Sequence, residues 1–127
     1  MRKLAVPFLI LEGIGTIAWW ATLMLFPAAR APFLAPGAPD STLLAFGAAD
    51  MVLYSGAPLA AAYGLARRLP WAWPLLCIHA GAVIYAGLYG LMLPLVSGGG
   101  WPAALFMTPG MLILPILVWR LRPGGDA

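Results

Sequence analysis

Charged side chains are scarce in this chain. They make up 9% of its 127 residues, whereas 63% of the residues are hydrophobic, and an average soluble domain has about 25% charged residues. A water-soluble fold of this length could not bury so much apolar surface, so the composition indicates a membrane protein whose first partner is the lipid bilayer. The few Lys and Arg residues form no basic stripe, which argues against a nucleic-acid partner.

Cysteine and histidine each occur once, as Cys77 and His79. A single cysteine excludes an intramolecular disulfide, and a single histidine excludes a haem with two axial histidines from one chain. A metal held by Glu12, Asp50 and His79 is geometrically conceivable, but nothing in their spacing favours it. No Walker or dinucleotide-binding glycine pattern occurs. We therefore expect neither a cofactor nor a metal.

Long apolar runs account for most of the sequence. Four of them, at approximately residues 4–26, 42–66, 70–95 and 101–121, predict four transmembrane helices. At a rise of ~1.5 Å per residue, each run is long enough to cross a hydrocarbon core of ~30 Å. The predicted fold is an all-α integral membrane protein, in which residues 1–127 form one domain arranged as an up-down four-helix bundle.

Local signals set the expected ends of these helices. Asp40 or Ser41 is expected to cap the second helix, after a Pro-rich connection. Pro70 suits the first turn of the third helix, because its missing N–H is not needed there. The glycine-rich turn at 97–100 then leads into the fourth helix.

The distribution of Lys and Arg predicts the orientation in the membrane. Six of these seven cations fall at one end of the predicted bundle: Arg2, Lys3, Arg67, Arg68, Arg120 and Arg122. Only Arg30 falls at the other end, so the positive-inside rule predicts cytoplasmic N- and C-termini in a multi-pass protein of the plasma (inner) membrane. Cleavage of the first run as a signal peptide is an alternative, but this run is longer than a usual signal sequence and contains Glu12.

Three lone ionisable residues, Glu12, Asp50 and His79, lie within three different apolar runs. A charged group at the centre of a membrane helix costs about 2.5–3.5 kcal/mol on insertion scales, so such residues are expected to face one another or a water-filled cavity. Counting residues along each helix places all three near the middle of the bilayer, with Tyr54 at the same depth. We predict that Glu12, Asp50, His79 and Tyr54 form a site that binds a substrate or a proton.

Several further polar residues are predicted to support this site. Thr16 follows Glu12 by one helical turn, and Ser55 is adjacent to Tyr54. The remaining two are Tyr85, on the third helix, and Thr108, which precedes Pro109 in the fourth helix. A polar network that only fixes the helix register is the structural alternative to a functional site.

The sequence favours proton-linked transport or binding of a small or lipophilic molecule. One alternative is an accessory subunit of a larger membrane complex, since the predicted fold leaves no room for a soluble domain. Another is a membrane enzyme that uses a carboxyl group and His79 as acid and base on a lipophilic substrate, although an enzyme is the less favoured class. Because four helices enclose little space, we expect a homodimer or a larger membrane complex.

Overall fold

The computed structural model describes residues 1–124, and within that range the chain is helical and contains no strand. The last three residues of the predicted domain 1–127 lie outside the described range. Four helices are long and apolar enough to cross a membrane: α1 (Arg2–Leu25), α2 (Asp40–Arg67), α3 (Ala72–Ser97) and α4 (Trp101–Arg120). The predicted all-α class with four apolar helices is therefore confirmed, and the protein is a multi-pass membrane protein.

Helix α2 covers the predicted span 42–66, but it is not uniform. It consists of the short α-helical segments Asp40–Leu44 and Gly47–Asp50, a π-helical segment Met51–Gly56, and the α-helical segment Ala57–Arg67. In the segment Met51–Gly56, here called the π segment, each N–H bonds to the carbonyl group five residues back. This pattern widens the helix and changes which carbonyl groups are paired. The π segment positions the site described below.

Two predicted helix ends also require correction. The residue that caps α2 is Pro39, and no side chain donates or accepts a capping hydrogen bond there. Asp40 instead pairs with Arg30, with 2.8 Å between its Oδ2 and Nη1, while Ser41 lies within the first turn. Pro70 precedes α3, because Arg68 ends α2 in a left-handed conformation and α3 begins only at Ala72.

Neighbouring helices along the chain run antiparallel and pack against each other. Gly13 of α1 permits the closest approach to α2, since a Cβ atom at this position would lie only 2.6 Å from the Leu59 side chain. At the end of the bundle that holds the start of α1, here called the terminal end, the indole of Trp73 donates to the Val118 carbonyl at 3.0 Å and joins α3 to α4.

The apolar core lies mainly between the middle of the bundle and its terminal end. Its fully buried members include Ala5, Leu9, Ala61, Leu76, Val83 and Leu114. Close backbone contacts link α1 to α2, α2 to α3, and α3 to α4, whereas the backbones of α1 and α4 lie farther apart. The seam between the first and last helices is therefore bridged by side chains, among them that of Glu12.

Candidate functional site

The acid and base predicted on α1 and α3 meet in the structure. Oε2 of Glu12 lies 2.9 Å from Nε2 of His79. The side chain of His79 is 0% exposed and that of Glu12 is 15% exposed. Two ionisable groups that are 67 positions apart in the sequence thus form a nearly buried pair in the middle of the apolar helices.

The second ring nitrogen of His79 is held by the backbone of α2. Its Nδ1 lies 2.7 Å from the carbonyl oxygen of Leu53, which belongs to the π segment. This carbonyl oxygen is available because the N–H of Ala57, its usual α-helical partner, bonds to Val52 instead. Its alternative partner in π-helical register is residue 58, a proline without an N–H. The sequence thus creates a free carbonyl group that faces the histidine.

This arrangement fixes the tautomer of His79. A carbonyl oxygen can only accept, so Nδ1 must carry the hydrogen and donate it to Leu53. In the neutral imidazole, Nε2 then carries a lone pair and needs a proton before it can bond to Glu12 at 2.9 Å. Either a protonated Glu12 donates to neutral His79, or an imidazolium donates to the Glu12 carboxylate. Both forms are neutral overall, and both contain one proton that is shared by the pair.

The other carboxyl oxygen of Glu12 faces helix α4. A Cβ atom built on Gly110 would lie 3.2 Å from Oε1 of Glu12 and equally close to Val83, so the glycine leaves the space that this oxygen occupies. Among the described residues, Oε1 accepts no hydrogen bond. Glu12 therefore binds His79 with one oxygen and has an acceptor available at the other.

Tyr54 lies beside the histidine, and within residues 1–124 it forms no hydrogen bond with the carboxyl group of Glu12. Its ring is perpendicular to the His79 ring, with 6.0 Å between the centroids, an edge-to-face arrangement that favours close packing of aromatic rings. Its hydroxyl group donates to the Ala82 carbonyl at 3.5 Å, which is a long hydrogen bond. The tyrosine therefore packs against the imidazole ring of His79.

Asp50 belongs to a second polar pair. Its Oδ2 accepts a hydrogen bond from the indole N–H of Trp20, at 3.0 Å. Trp20 is 4% exposed and also packs edge-to-face on Trp19. No hydrogen bond within residues 1–124 joins Asp50 to Glu12, His79 or Tyr54. The structure thus brings Glu12 and His79 together and gives Asp50 a different partner.

The four residues predicted to support the site hold different positions. The hydroxyl groups of Thr16 and Thr108 donate to backbone carbonyls one turn earlier on their own helices, at 3.0 and 2.7 Å. Ser55 is buried in the π segment, with its hydroxyl group 3.9 Å from the sulfur of Met51. Tyr85 is 75% exposed on the outer face of α3. None of the four donates to the carboxyl group of Glu12.

Sequence reasoning missed four residues that shape this region: Trp20, Leu53, Pro58 and Gly110. Pro58 carried the detectable signal, because a proline inside an apolar helix leaves a carbonyl group four or five residues earlier without a donor. Leu53 contributes only its backbone oxygen, which no side-chain pattern reveals. Trp20 and Gly110 matter through contacts between helices that the sequence of either helix alone does not specify.

Within residues 1–124 no group of three or more His, Cys, Asp or Glu residues is placed to hold a metal ion. The chemistry that remains available is that of a carboxyl group and an imidazole ring sharing a proton in a region with little access to water. No family model, no curated protein and no solved structure matches this chain. The functional conclusion therefore rests on the chemistry of the Glu12–His79 pair.

Proposed function

We propose that this protein binds a small or lipophilic molecule, and moves it across the bilayer, in exchange for the proton shared by Glu12 and His79. The supporting observation is the hydrogen bond from Nδ1 of His79 to the Leu53 carbonyl. Because that bond fixes the tautomer, the contact between Nε2 and Oε2 requires a proton. Loss of the proton leaves a carboxylate opposite a nitrogen lone pair, and the two repel each other.

The exchange follows from the charge of the two states. With the proton, the pair is neutral and suits a medium of low dielectric constant. Without it, the pair carries one negative charge that is costly to bury. A ligand that offers a positive charge or hydrogen-bond donors compensates for the missing proton, so proton release and ligand binding are coupled. A ligand shifts the equilibrium between the two states only by its difference in affinity for them.

The same proposal includes an orientation and an assembly. Both termini lie in the cytoplasm and the protein in the plasma (inner) membrane, a proposal supported by the six of seven Lys and Arg residues at helix ends near the terminal end. A single four-helix bundle encloses little space for a pathway. Transport would therefore use a homodimer.

Proton binding is tested by potentiometric titration of the purified protein in lipid nanodiscs. On titration with base, the wild type should release the shared proton in a step that is missing from the Glu12→Gln variant. Asp50→Asn is the matched control, because it also converts a carboxyl group inside an apolar helix into an amide. Identical titrations of wild type and Glu12→Gln, with both proteins folded, would contradict the proposal.

Native mass spectrometry of protein extracted gently from its own membranes separates transport from the accessory-subunit alternative. A homo-oligomer that retains a small molecule supports the proposal and identifies the class of ligand. Stoichiometric copurification of other chains, with no bound small molecule, favours a subunit whose polar groups stabilise an assembly.

A further inference from the structure

A groove runs along the seam between α1 and α4 at the terminal end of the bundle. It has a volume of about 280 Å³ and is lined by Met1, Leu4, Phe8, Ile113, Ile116 and Leu117. All six side chains are apolar. Leu4, at 67% exposure, and Ile116, at 56%, lie at its open side. The groove is a separate feature from the Glu12–His79 pair.

The lining of the groove indicates what can occupy it. All of its walls are apolar, and its open side lies on the outer surface of the bundle, which faces lipid chains in a membrane. A segment of a hydrocarbon chain matches this lining.

Cations occupy the helix ends that border the groove. Arg2 and Lys3 lie between two lining residues in the sequence, and Arg120 follows Ile116 by one turn of α4. The guanidinium group of Arg122 stacks over the Trp119 ring at 4.2 Å, a contact typical of side chains at the membrane surface. The three acidic residues of the described range lie deeper in the bundle or near its other end.

We infer that this groove binds one anionic phospholipid, with an acyl chain between α1 and α4 and its phosphate group at the cationic helix ends. Guanidinium groups bind phosphate oxygens through paired hydrogen bonds. The apolar walls of the groove replace the contacts that the acyl chain makes with other lipid chains in the bilayer. Glu12 lies one helical turn beyond Phe8. An acyl chain in the groove therefore covers the seam between α1 and α4 next to Oε1 of Glu12, the oxygen that faces α4.

The test is native mass spectrometry of detergent-solubilised protein during addition of phosphatidylglycerol or phosphatidylcholine with identical acyl chains. We expect the wild type to prefer phosphatidylglycerol by about tenfold, which one or two Lys or Arg contacts supply. Arg120→Gln with Arg122→Gln should reduce this preference, because phosphatidylglycerol carries a net negative charge that the choline group cancels in phosphatidylcholine.

The groove itself is tested with Ile113→Trp, which fills it. Leu112→Trp is the matched control, because Leu112 is the preceding residue of α4, is 61% exposed and does not line the groove. Ile113→Trp should reduce binding of both lipids at least tenfold, whereas Leu112→Trp should bind them like the wild type. Equal affinity of the wild type for the two lipids, or unchanged binding by a folded Ile113→Trp variant, would overturn the inference.

Discussion

The structure contains two interhelical pairs that look alike and differ in what they can do. Glu12 lies 2.9 Å from the imidazole of His79, and Asp50 lies 3.0 Å from the indole of Trp20. Each pair joins a carboxyl group to a ring nitrogen of another helix. Both are connected to the π segment, since Asp50 directly precedes it and the Leu53 carbonyl within it binds His79.

The difference lies in the ring. An indole N–H donates a hydrogen bond and keeps its proton at any physiological pH, so Trp20 can hold Asp50 in place but cannot exchange a proton with it. Nε2 of an imidazole gains and loses a proton near neutral pH. Both members of the Glu12–His79 pair can therefore hold a proton, whereas in the second pair only the Asp50 carboxyl group can. Under the proposed function, the second contact orders the helices, and the first also supplies the proton that is exchanged.

The largest expected difference between the two pairs is in stability. His79→Ala leaves the Glu12 carboxyl group without its partner and the Leu53 carbonyl without its donor, and it opens a cavity. We therefore expect a loss of about 3–5 kcal/mol in the free energy of unfolding. Trp20→Phe removes the hydrogen-bond donor of Asp50, which is less deeply buried than His79. We expect a loss of about 1–2 kcal/mol in the free energy of unfolding. Unfolding in mixed micelles by added denaturing detergent measures both values.

A double-mutant cycle with Glu12→Gln and His79→Gln isolates the coupling within the first pair. The coupling should account for a large part of the loss caused by His79→Gln. If His79→Ala proves no more costly than Trp20→Phe, the two pairs are energetically equivalent and the distinction between them fails.

The next prediction concerns the tautomer of the only histidine. In protein labelled with ¹⁵N-histidine, nuclear magnetic resonance spectra report on one residue, and Nδ1 of His79 should remain protonated throughout a pH titration while only Nε2 changes. Pro58→Ala restores an N–H that can bond to Leu53 in π-helical register and so competes with Nδ1. We expect this variant to show a mixture of the two tautomers.

Pro94→Ala, at another proline inside an apolar helix, is the control for a general loss of proline, and it should leave the His79 spectrum unchanged. A wild-type spectrum in which Nδ1 loses its proton first would refute the role of the Leu53 carbonyl.

The sequence predicted the helices, but it did not predict which side chains of different helices contact each other. Hydropathy alone predicted four helices, because burial in lipid requires long apolar runs. Helical counting put Glu12 and His79 at one depth, since rise per residue is constant. The rotation of each helix about its axis, which sends Asp50 to Trp20, depends on packing between helices and was not predictable from one helix at a time.

The irregular part of α2 was also outside the reach of periodicity. A one-residue widening at Met51–Gly56 changes the face on which every later residue lies. Pro58 indicated that a carbonyl group would lack a donor, but not that His79 would supply one. The groove between α1 and α4 likewise depends on how far apart these two helices pack, and no sequence pattern indicates that distance.

A smaller effect is expected at the α4 side of the Glu12–His79 pair. Gly110→Ala places a methyl group 3.2 Å from Oε1 of Glu12, so the carboxyl group must shift, and we expect a loss of about 1 kcal/mol in the free energy of unfolding together with a changed Nε2 resonance of His79. Gly81→Ala is the matched control, because its added Cβ atom would meet nothing within 4 Å and alanine favours a helix by up to ~1 kcal/mol. Equal behaviour of the two variants would show that Gly110 does not border the site.

The smallest effect is expected from Asp50→Asn. The asparagine side chain retains a carbonyl oxygen in the position of Oδ2, so the indole N–H of Trp20 keeps an acceptor at about the same distance. We expect a change of less than about 0.5 kcal/mol in the free energy of unfolding, since a neutral acceptor replaces one that is partly exposed to solvent. The ¹⁵N spectrum of His79 should stay that of the wild type, because no hydrogen bond within residues 1–124 links the two pairs. A shift of the Nε2 titration in this variant, as large as that caused by Glu12→Gln, would mean that Asp50 shares the exchangeable proton and that the two pairs form one site.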